Sequence, residues 1–240
     1  MAEIIRLGSL YFDNQVQEPG VHYSTESGAV SIRDTVAGKE IPWLRLGHML
    51  VAQQCVCLNV SWARLNKDKL IYGTIIKIDG QDFLCRSMIT SKHSSGNEWD
   101  KFIRKYGHSE VDVHWNDSYT LGQSTAIAAG SQGKEMIVVR GFVDPKHESV
   151  AAATLQDPRV GFRPVLEQLK SARGDLSQLI RKRIAFLGPD LQPINGKLRA
   201  VSDYDLELDH FSPLPNGGEW VVDNGVATVS RSNIEWLVCT

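Results

Sequence analysis

The amino-acid sequence predicts an α+β fold, and three observations lead to this prediction. Short apolar runs separated by glycines fill the first fifty residues, a pattern typical of short strands and turns. The dipeptides Asp79-Gly80 and Asn224-Gly225 each stand between β-rich arms, which is the strongest local signal for a hairpin. Residues 97–107, NEWDKFIRKYG, carry apolar side chains at helical spacing. We therefore expect many short strands and a few helices.

The N-terminal part, residues 1–60, is predicted to be a β-rich segment. Its last stretch, LVAQQCVCLNV at residues 50–60, is a continuous apolar run, which indicates a buried strand or a strand bent across the core. Ser61 then precedes WARLNKDKL, where a serine N-cap followed by good helix formers predicts a short helix.

The next elements are a hairpin around residues 70–89 and an amphipathic helix. Ser95 or Asn97 is available as the N-cap of this helix, acidic residues occupy its first turn, and Gly107 ends it. The predicted packing face consists of Trp99, Phe102, Ile103 and Tyr106. Residues 108–132 are polar and irregular and are predicted to form a long loop.

The remaining sequence predicts two more strands and a second domain. MIVVRGF (136–142) and VGFRPVLE (160–167) have strand character, and the residues between them have loop character. A basic amphipathic stretch predicts a connecting helix at residues 171–183. Turn signals beyond it predict a small β domain at residues 184–240.

Five motifs in a fixed order resemble those of a known group of proteins: IDGQDFLCR, GNEWDKFI, HWNDSYTLGQS, VVRGF and VGFRPVLE. The series is similar to uncharacterised bacterial and phage proteins with an NEWD-type helix, a W-N segment and a closing GFRPVLE. Its closing strand also resembles the GFR strand of the formylglycine-generating-enzyme branch of the C-type-lectin-like fold. The resemblance spans residues 62–169. It implies a C-type-lectin-like core at residues 61–170 and a phage or mobile-element origin, but such folds serve many functions.

Composition and charge exclude several classes of partner. The formal net charge of −2 provides no general attraction to nucleic acid, so nucleic acid is an unlikely partner. No run of about 18 apolar residues is present and the N-terminus has no signal pattern, so we predict no membrane association. The expected location is the cytoplasm, that of the bacterial host if the protein is phage-encoded.

We predict no cofactor and no metal. The copper-binding cysteine pair of the formylglycine-generating branch lies near the end of its core, whereas Cys55 and Cys57 precede the hairpin and are typical of buried thiols. His108 and His114 flank Glu110 and Asp112, which favours a solvated polar face over a metal site. Phosphate-binding loops and local hydrolase signatures are absent from the sequence.

The best candidate for a binding site is the polar-aromatic part of the long loop. Flat rings for stacking occur there beside amides and a histidine for directional hydrogen bonds, a mixture that suits small polar ligands or protein surfaces. The candidate residues are His114, Trp115, Asn116, Tyr119 and Gln123. In the alternative interpretation, Trp115 fills the core and the polar groups satisfy the loop backbone.

Two arginines lie in apolar strands and must be paired or reach a cavity, because an unpaired buried guanidinium costs several kcal/mol. For Arg163 we predict a structural clamp with the helix carboxylates Glu98 and Asp100. For Arg140, beside the long loop, contact with an anionic ligand and a structural role are equally favoured.

The function predicted from these observations is non-enzymatic binding of a protein or a small polar or anionic ligand. A host-directed inhibitor or a ligand-sequestering protein would suit a phage product. The alternatives are a hydrolase whose polar site is assembled by the fold, and a virion structural or receptor-binding component. An oligomer is compatible with all three functions.

Overall fold

A computed structural model describes residues 3–91, 97–107, 113–116, 118–127, 135–171, 174–187, 193–212, 220–234 and 236–239. The chain forms two compact units, Met1–Glu167 and Gln168–Thr240. Strands account for 49% of the structure and helix for 10%. The predicted α+β class, with its C-type-lectin-like core, is therefore wrong: the protein is β-rich, with several sheets and a β-sandwich-like character. Most of the apolar sequence runs are strands, and only two α-helices form within the described ranges.

The first unit contains three sheets and both α-helices. Its elements in chain order are β1 (Ile4–Arg6), β2 (Ser9–Phe12), β3 (Gln15–Gln17), β4 (Val21–His22), β5 (Val30–Arg33), β6 (Pro42–Leu46), β7 (Met49–Ala52), β8 (Cys57–Leu58), α1 (Trp62–Lys67), β9 (Thr74–Ile78), β10 (Gln81–Ser87), α2 (Glu98–Tyr106), β11 (Tyr119–Ile127), β12 (Glu135–Gly141), β13 (Glu148–Ala151), β14 (Val160–Phe162) and β15 (Pro164–Gln168).

Sheet I has the strand order β1-β6-β7-β15-β10-β9, sheet II the order β13-β12-β11-β14-β8-β4, and sheet III the order β3-β2-β5. One apolar cluster, which includes Leu10, Trp43 and Phe162, lies among residues of all three sheets. A second cluster lies under α2, where Trp99 and Phe102 are fully buried against Val165. Helix α2 is thus fixed to the unit by the face that its spacing predicts.

The apolar runs at residues 50–60 and 160–167 each divide between two sheets. The first run supplies β7 to sheet I and β8 to sheet II. The second supplies β14 to sheet II and β15 to sheet I, so VGFRPVLE is not the single strand that we expect from its sequence. The segment predicted as a loop between 143 and 159 contains β13, which pairs with β12. In both runs the chain crosses from one sheet to the other.

The second unit is built on sheet IV, a seven-stranded antiparallel sheet of order β16-β22-β17-β18-β19-β21-β20. Its elements are β16 (Lys170–Ser171), the 3₁₀ turn η1 (Ser177–Leu179), β17 (Arg183–Leu187), β18 (Pro193–Val201), β19 (Asp205–Asp209), β20 (Trp220–Asp223), β21 (Val226–Ser230), the 3₁₀ turn η2 (Arg231–Asn233) and β22 (Trp236–Cys239). The described part of 171–183 holds a strand end and η1 instead of the expected connecting helix.

Both hairpin predictions are confirmed. Asp79 and Gly80 have φ angles of 50° and 82° between β9 and β10, and Asn224 and Gly225 have φ angles of 47° and 77° between β20 and β21. Positive φ at both central residues is the requirement of a type I′ turn, which explains why Asn-Gly and Asp-Gly occupy these positions. No helix in the described residues is long and apolar enough to cross a membrane.

Candidate functional site

Helix α2 positions the charged groups of the first unit. Asn97 is its N-cap, and the Asn97 side chain accepts a hydrogen bond of 3.0 Å from the Asp100 amide. The apolar face packs inward, and Trp99 Nε1 donates to the Pro145 carbonyl at 2.7 Å. Glu98 and Asp100 occupy the first turn, where the buried Glu98 carboxylate and the partly exposed Asp100 carboxylate lie close to arginines from two sheets.

The first of these arginines is Arg86, at the end of β10. Its Nη1 and Nη2 donate to the two carboxylate oxygens of Glu98 at 2.8 and 2.6 Å, and its Nε donates to Glu167 at 2.6 Å. All three residues are at most 8% exposed. His48 Nε2 lies 3.4 Å from the other oxygen of Glu167. This group of four residues is named the Arg86 cluster.

The contacts within the Arg86 cluster stabilise the charged forms of Arg86 and Glu167. Burial opposes the charged form of Arg86, but the hydrogen bonds that Arg86 donates to Glu98, together with the charges of Glu98 and Glu167, outweigh burial and raise the pKa of the guanidinium. Burial likewise opposes the charge of Glu167, yet the His48 hydrogen bond and Arg86 lower the pKa of that carboxyl. The cluster is therefore a buried ion-pair network.

The second arginine is Arg140, in β12, which is fully buried. Its Nε donates to the His147 carbonyl, its Nη1 to the Thr90 carbonyl and Glu148, and its Nη2 to Asp100 and the Lys146 carbonyl. A guanidinium has five N–H donors, and these five acceptors account for all of them. Arg140 therefore holds the segment 146–148 against α2.

The third arginine, Arg163, lies where the chain passes from β14 to β15. Its guanidinium donates to the carbonyls of Ala52, Gln53 and His114 and to Thr120 Oγ1, and it lies 5.6 Å from the Trp99 ring and 6.0 Å from the Phe102 ring. It thus contacts both sheets and the face of α2. Arginine suits this position because its planar group both stacks on rings and donates in several directions.

These contacts differ from the predicted clamp in their partners. The helix carboxylates do pair with buried arginines, but Glu98 pairs with Arg86 and Asp100 with Arg140, where the sequence suggests Arg163. Arg163 binds backbone carbonyls and aromatic rings. Arg86 carries the same sequence signal as the other two, a charge within an apolar strand, so the buried-charge argument applied to β10 finds it as well.

An open cleft of about 630 Å³ lies beside α2. Three cationic side chains and one carboxylate line it, together with Ile103, Gly107 and Pro145. The charged residues are Arg104, Arg140, Lys146 and Asp100. Arg140 is fully buried and its charge is balanced by Asp100 and Glu148. Arg104 and Lys146 are exposed, and within the described ranges neither side chain has an ion-pair partner. We name this site the α2 cleft.

Residues of the predicted polar-aromatic site do not form one surface. Trp115 packs against the apolar cluster under α2, and its buried Nε1 has no hydrogen-bond partner among the residues that the structure describes. The His114 carbonyl accepts from Arg163, while Gln123, in β11, donates to the Ser87 carbonyl at 2.9 Å. Asn116 is exposed. Residues 108–112, 117 and 128–132 of the predicted loop, which include His108, Glu110 and Asp112, lie outside the described residues.

Tyr119 belongs to a different group, an aromatic cluster formed by the first residue of β11 and by two residues of the connection between β12 and β13. Its ring centroid is 5.0 Å from that of Phe142 and 5.9 Å from that of His147, and the Arg159 guanidinium lies 5.8 Å from the Phe142 ring. Phe142 has a φ of 69°, and the Val143 amide donates to the Gly141 carbonyl at 3.0 Å, which defines a classic γ-turn. Such strained turns concentrate at functional sites.

The thiols of the first unit are poorly suited to nucleophilic chemistry. Cys55, Cys57 and Cys85 are free and buried. Burial, with a smaller contribution from Cys55, raises the pKa of Cys57, and burial raises the pKa of Cys85 to about 12. Because the thiolate is the reactive form, the raised pKa values of Cys57 and Cys85 disfavour nucleophilic reaction of these two thiols at neutral pH. Among the described residues, no three His, Cys, Asp or Glu side chains are placed to hold a metal ion.

Comparisons with protein-family models, with curated proteins and with solved structures return no match to this chain.

Proposed function

We propose that the protein is a non-enzymatic binding protein, and that it recognises an anionic group of a small polar ligand or of a protein in the α2 cleft. One observation carries the proposal: two exposed cations, Arg104 and Lys146, border a cleft of about 630 Å³ and have no ion-pair partner in the described part of the chain. A concave site with a few placed polar groups is the usual form of a ligand site.

The cleft combines apolar contact with positive charge. Ile103 and Pro145 offer apolar surface, while Arg104 can bind a carboxylate or phosphate in a bidentate manner and Lys146 can act as a mobile point charge. Arg140 contributes no free donor, because its five N–H groups are already used. Its role in this proposal is to hold Lys146 opposite α2.

A binding role also agrees with the chemistry of the described side chains. Burial raises the pKa of the Cys57 and Cys85 thiols, which disfavours either of them as a nucleophile. The buried arginines are engaged with carboxylates, carbonyls and rings. A phage or mobile-element origin, and a role as a host-directed inhibitor or ligand-sequestering protein, remain predictions based on the motif series.

The proposal is tested by titrating the ¹⁵N-labelled full chain with inorganic phosphate and, separately, with a hexa-aspartate peptide at constant ionic strength. We expect amide shifts at residues 103–107 and at residues 146 and 147, and at least a tenfold weaker response in the double variant Arg104→Glu/Lys146→Glu. The peptide arm represents a protein ligand and the phosphate arm a small anion.

The matched control is Lys67→Glu/Lys101→Glu, which makes the same change in charge at two exposed lysines that do not line the cleft. It should bind both probes as the unmodified chain does. Equal loss in both variants would show attraction by net charge alone and would contradict the proposal, as would the absence of shifts at the cleft.

A further inference from the structure

The two sides of the α2 cleft are tied to each other by hydrogen bonds. Trp99, on α2, donates from its Nε1 to the Pro145 carbonyl at 2.7 Å, and Arg140 donates to the Lys146 carbonyl at 3.4 Å. Trp99 and Arg140 are both fully buried, so these anchors are rigid. The backbone of Lys146 is therefore held at a fixed distance from Arg104, which lies on α2.

The free hydrogen-bond donors of the α2 cleft lie on these two cations. A guanidinium has five N–H donors and an ammonium group has three. In the part of the chain that the structure describes, neither the Arg104 guanidinium nor the Lys146 ammonium group makes a hydrogen bond or an ion pair. Asp144 accepts from the backbone amide of Lys146 at 2.7 Å and forms no ion pair with its ammonium group. Both cations are therefore available to a ligand.

The acceptors along the α2 cleft are already engaged. Asp100 Oδ1 accepts from Arg140 Nη2 at 2.5 Å, and Asp100 Oδ2 accepts from Asn97 Nδ2 at 2.8 Å. The carbonyls of Pro145 and Lys146 each accept a hydrogen bond from a buried side chain. A ligand group in this cleft is therefore stabilised most if it brings several acceptors and no donors.

The charges around the α2 cleft distinguish between anionic groups. Arg140 is balanced by Asp100 and Glu148, so Arg104 and Lys146 remain as two uncompensated positive charges. A phosphate monoester carries about −1.5 to −2 charges at pH 7 and three strong acceptor oxygens. A single carboxylate or a phosphodiester carries one negative charge. The monoester matches both the number of cations and the shortage of free acceptors.

We propose, building on the anion site proposed above, that the α2 cleft binds the phosphate group of a small phosphate monoester. Arg104 binds two of the terminal oxygens in a bidentate manner, and Lys146 binds the third. The organic part of the ester packs on the apolar surface of Ile103 and Pro145. The cleft volume of about 630 Å³ lies within the range of about 300–1,000 Å³ that is typical of small-molecule sites.

Three ligands that share a phenyl ring and differ in their anionic group test this assignment: phenyl phosphate, methyl phenyl phosphate and benzoate. Each is titrated into the ¹⁵N-labelled full chain at pH 8 and constant ionic strength, where the first ligand carries two charges and the others carry one. We expect amide shifts at residues 103–107 and at residues 146 and 147. Phenyl phosphate should bind about tenfold more tightly than either monoanion, because its second charge attracts the second cation.

Neutralising one cation at a time tests whether both bind the same group. In Arg104→Gln or in Lys146→Gln, phenyl phosphate should bind within about twofold of methyl phenyl phosphate, because one cation then remains for either ligand. Lys101→Gln is the matched control, since Lys101 is exposed on the same helix and does not line the cleft. It should retain the full preference. Circular dichroism establishes that each variant is folded.

The outcomes separate this inference from the anion site on which it rests. Shifts at the cleft with equal affinity for all three ligands, or a full preference in either single variant, would overturn the assignment to a phosphate monoester and leave the anion site standing. The absence of shifts with every ligand would overturn both. A pentapeptide with a central phosphoserine between alanines that binds about tenfold more tightly than phenyl phosphate would indicate a phosphoprotein and would overturn the assignment to a small ester.

Discussion

Replacement of Arg86 by methionine is the perturbation that most directly probes how the first unit is held together. The guanidinium makes two hydrogen bonds to Glu98 and one to Glu167, all between 2.6 and 2.8 Å. Methionine has a similar length and no charge. The substitution therefore removes the cation and leaves two carboxylates, each only 6% exposed, without it.

The magnitude follows from the burial of these carboxylates. Breaking a buried ion pair by removing one partner typically costs about 3–5 kcal/mol, because the remaining charge is uncompensated. In the variant, Glu98 still accepts a hydrogen bond from the Ile89 amide at 2.9 Å, and Glu167 still lies 3.4 Å from His48. We therefore expect the free energy of unfolding to fall by about 3 kcal/mol, the lower end of this range. Whole domains are stable by only about 5–15 kcal/mol.

Urea unfolding measures this loss, followed by tryptophan fluorescence in a background with Trp220 and Trp236 replaced by phenylalanine, so that the signal reports the first unit. Arg159→Met is the control, because the Arg159 side chain is 60% exposed and solvent screens its pair with Asp157, so its loss should change stability far less than the loss of Arg86.

A triple variant separates lost charge compensation from lost packing. Arg86→Met/Glu98→Gln/Glu167→Gln removes all three charges and keeps an acceptor for the Ile89 amide. We expect it to regain at least half of the lost stability. A cost below about 1 kcal/mol for Arg86→Met alone, or no recovery in the triple variant, would refute the reasoning.

Three further predictions concern the first unit. The pKa of Glu167 in the folded protein is below its ordinary value of 4.5. The ionised carboxylate therefore stabilises the fold above pH 4.5, and this stabilisation is lost as the pH falls through the folded pKa. Glu167→Gln should flatten this acidic part of the curve of unfolding free energy against pH. Gly141→Ala should destabilise by more than Gly38→Ala in urea unfolding, since both have positive φ but a Cβ at Gly141 would lie 2.9 Å from a carbonyl oxygen. Cys57 and Cys85 should react with a disulfide reagent at pH 8 only as fast as the unit opens, and rapid labelling of the folded chain would contradict their burial.

Elements defined by local sequence were predicted well. The Asp79-Gly80 hairpin needs only two residues that accept positive φ between β-forming arms, and helix α2 needs only its Asn97 cap and apolar spacing. Ser61 likewise caps α1, as expected. These signals depend on a few neighbouring residues, and the tertiary contacts of this protein do not change the structures that they predict.

Assignment of strands to sheets could not be predicted in the same way. VGFRPVLE has the apolar character of one strand, but its two halves pair with β8 and β7 in different sheets. Periodicity reports which side chains are buried and not which partner buries them. This is why the α+β class was wrong while the individual hairpins were right. The likeness of the motif series to bacterial and phage proteins stays a prediction.

In the candidate site, too, the sequence indicated which residues need partners but not which distant residues those partners are. A charge in an apolar strand indicates that Arg140 and Arg163 need partners, but Asp100, Thr90 and the described partners of Arg163 lie 40 or more positions away in the chain. Lys146 was missed as a cleft residue because nothing in its local sequence indicates that the segment lies beside α2. Its position beside Arg104 depends on the contacts of Arg140 with α2.

The central claim, that the α2 cleft binds an anionic molecule, is tested most directly by mass spectrometry of whatever co-purifies with the protein from its native host. The unmodified chain is compared with Arg104→Glu/Lys146→Glu and with Lys67→Glu/Lys101→Glu. The account predicts a molecule bearing phosphate or carboxylate groups that accompanies the unmodified chain and the second variant but not the first. Recovery of the same molecule with all three proteins, or of no molecule with any of them, would contradict the claim.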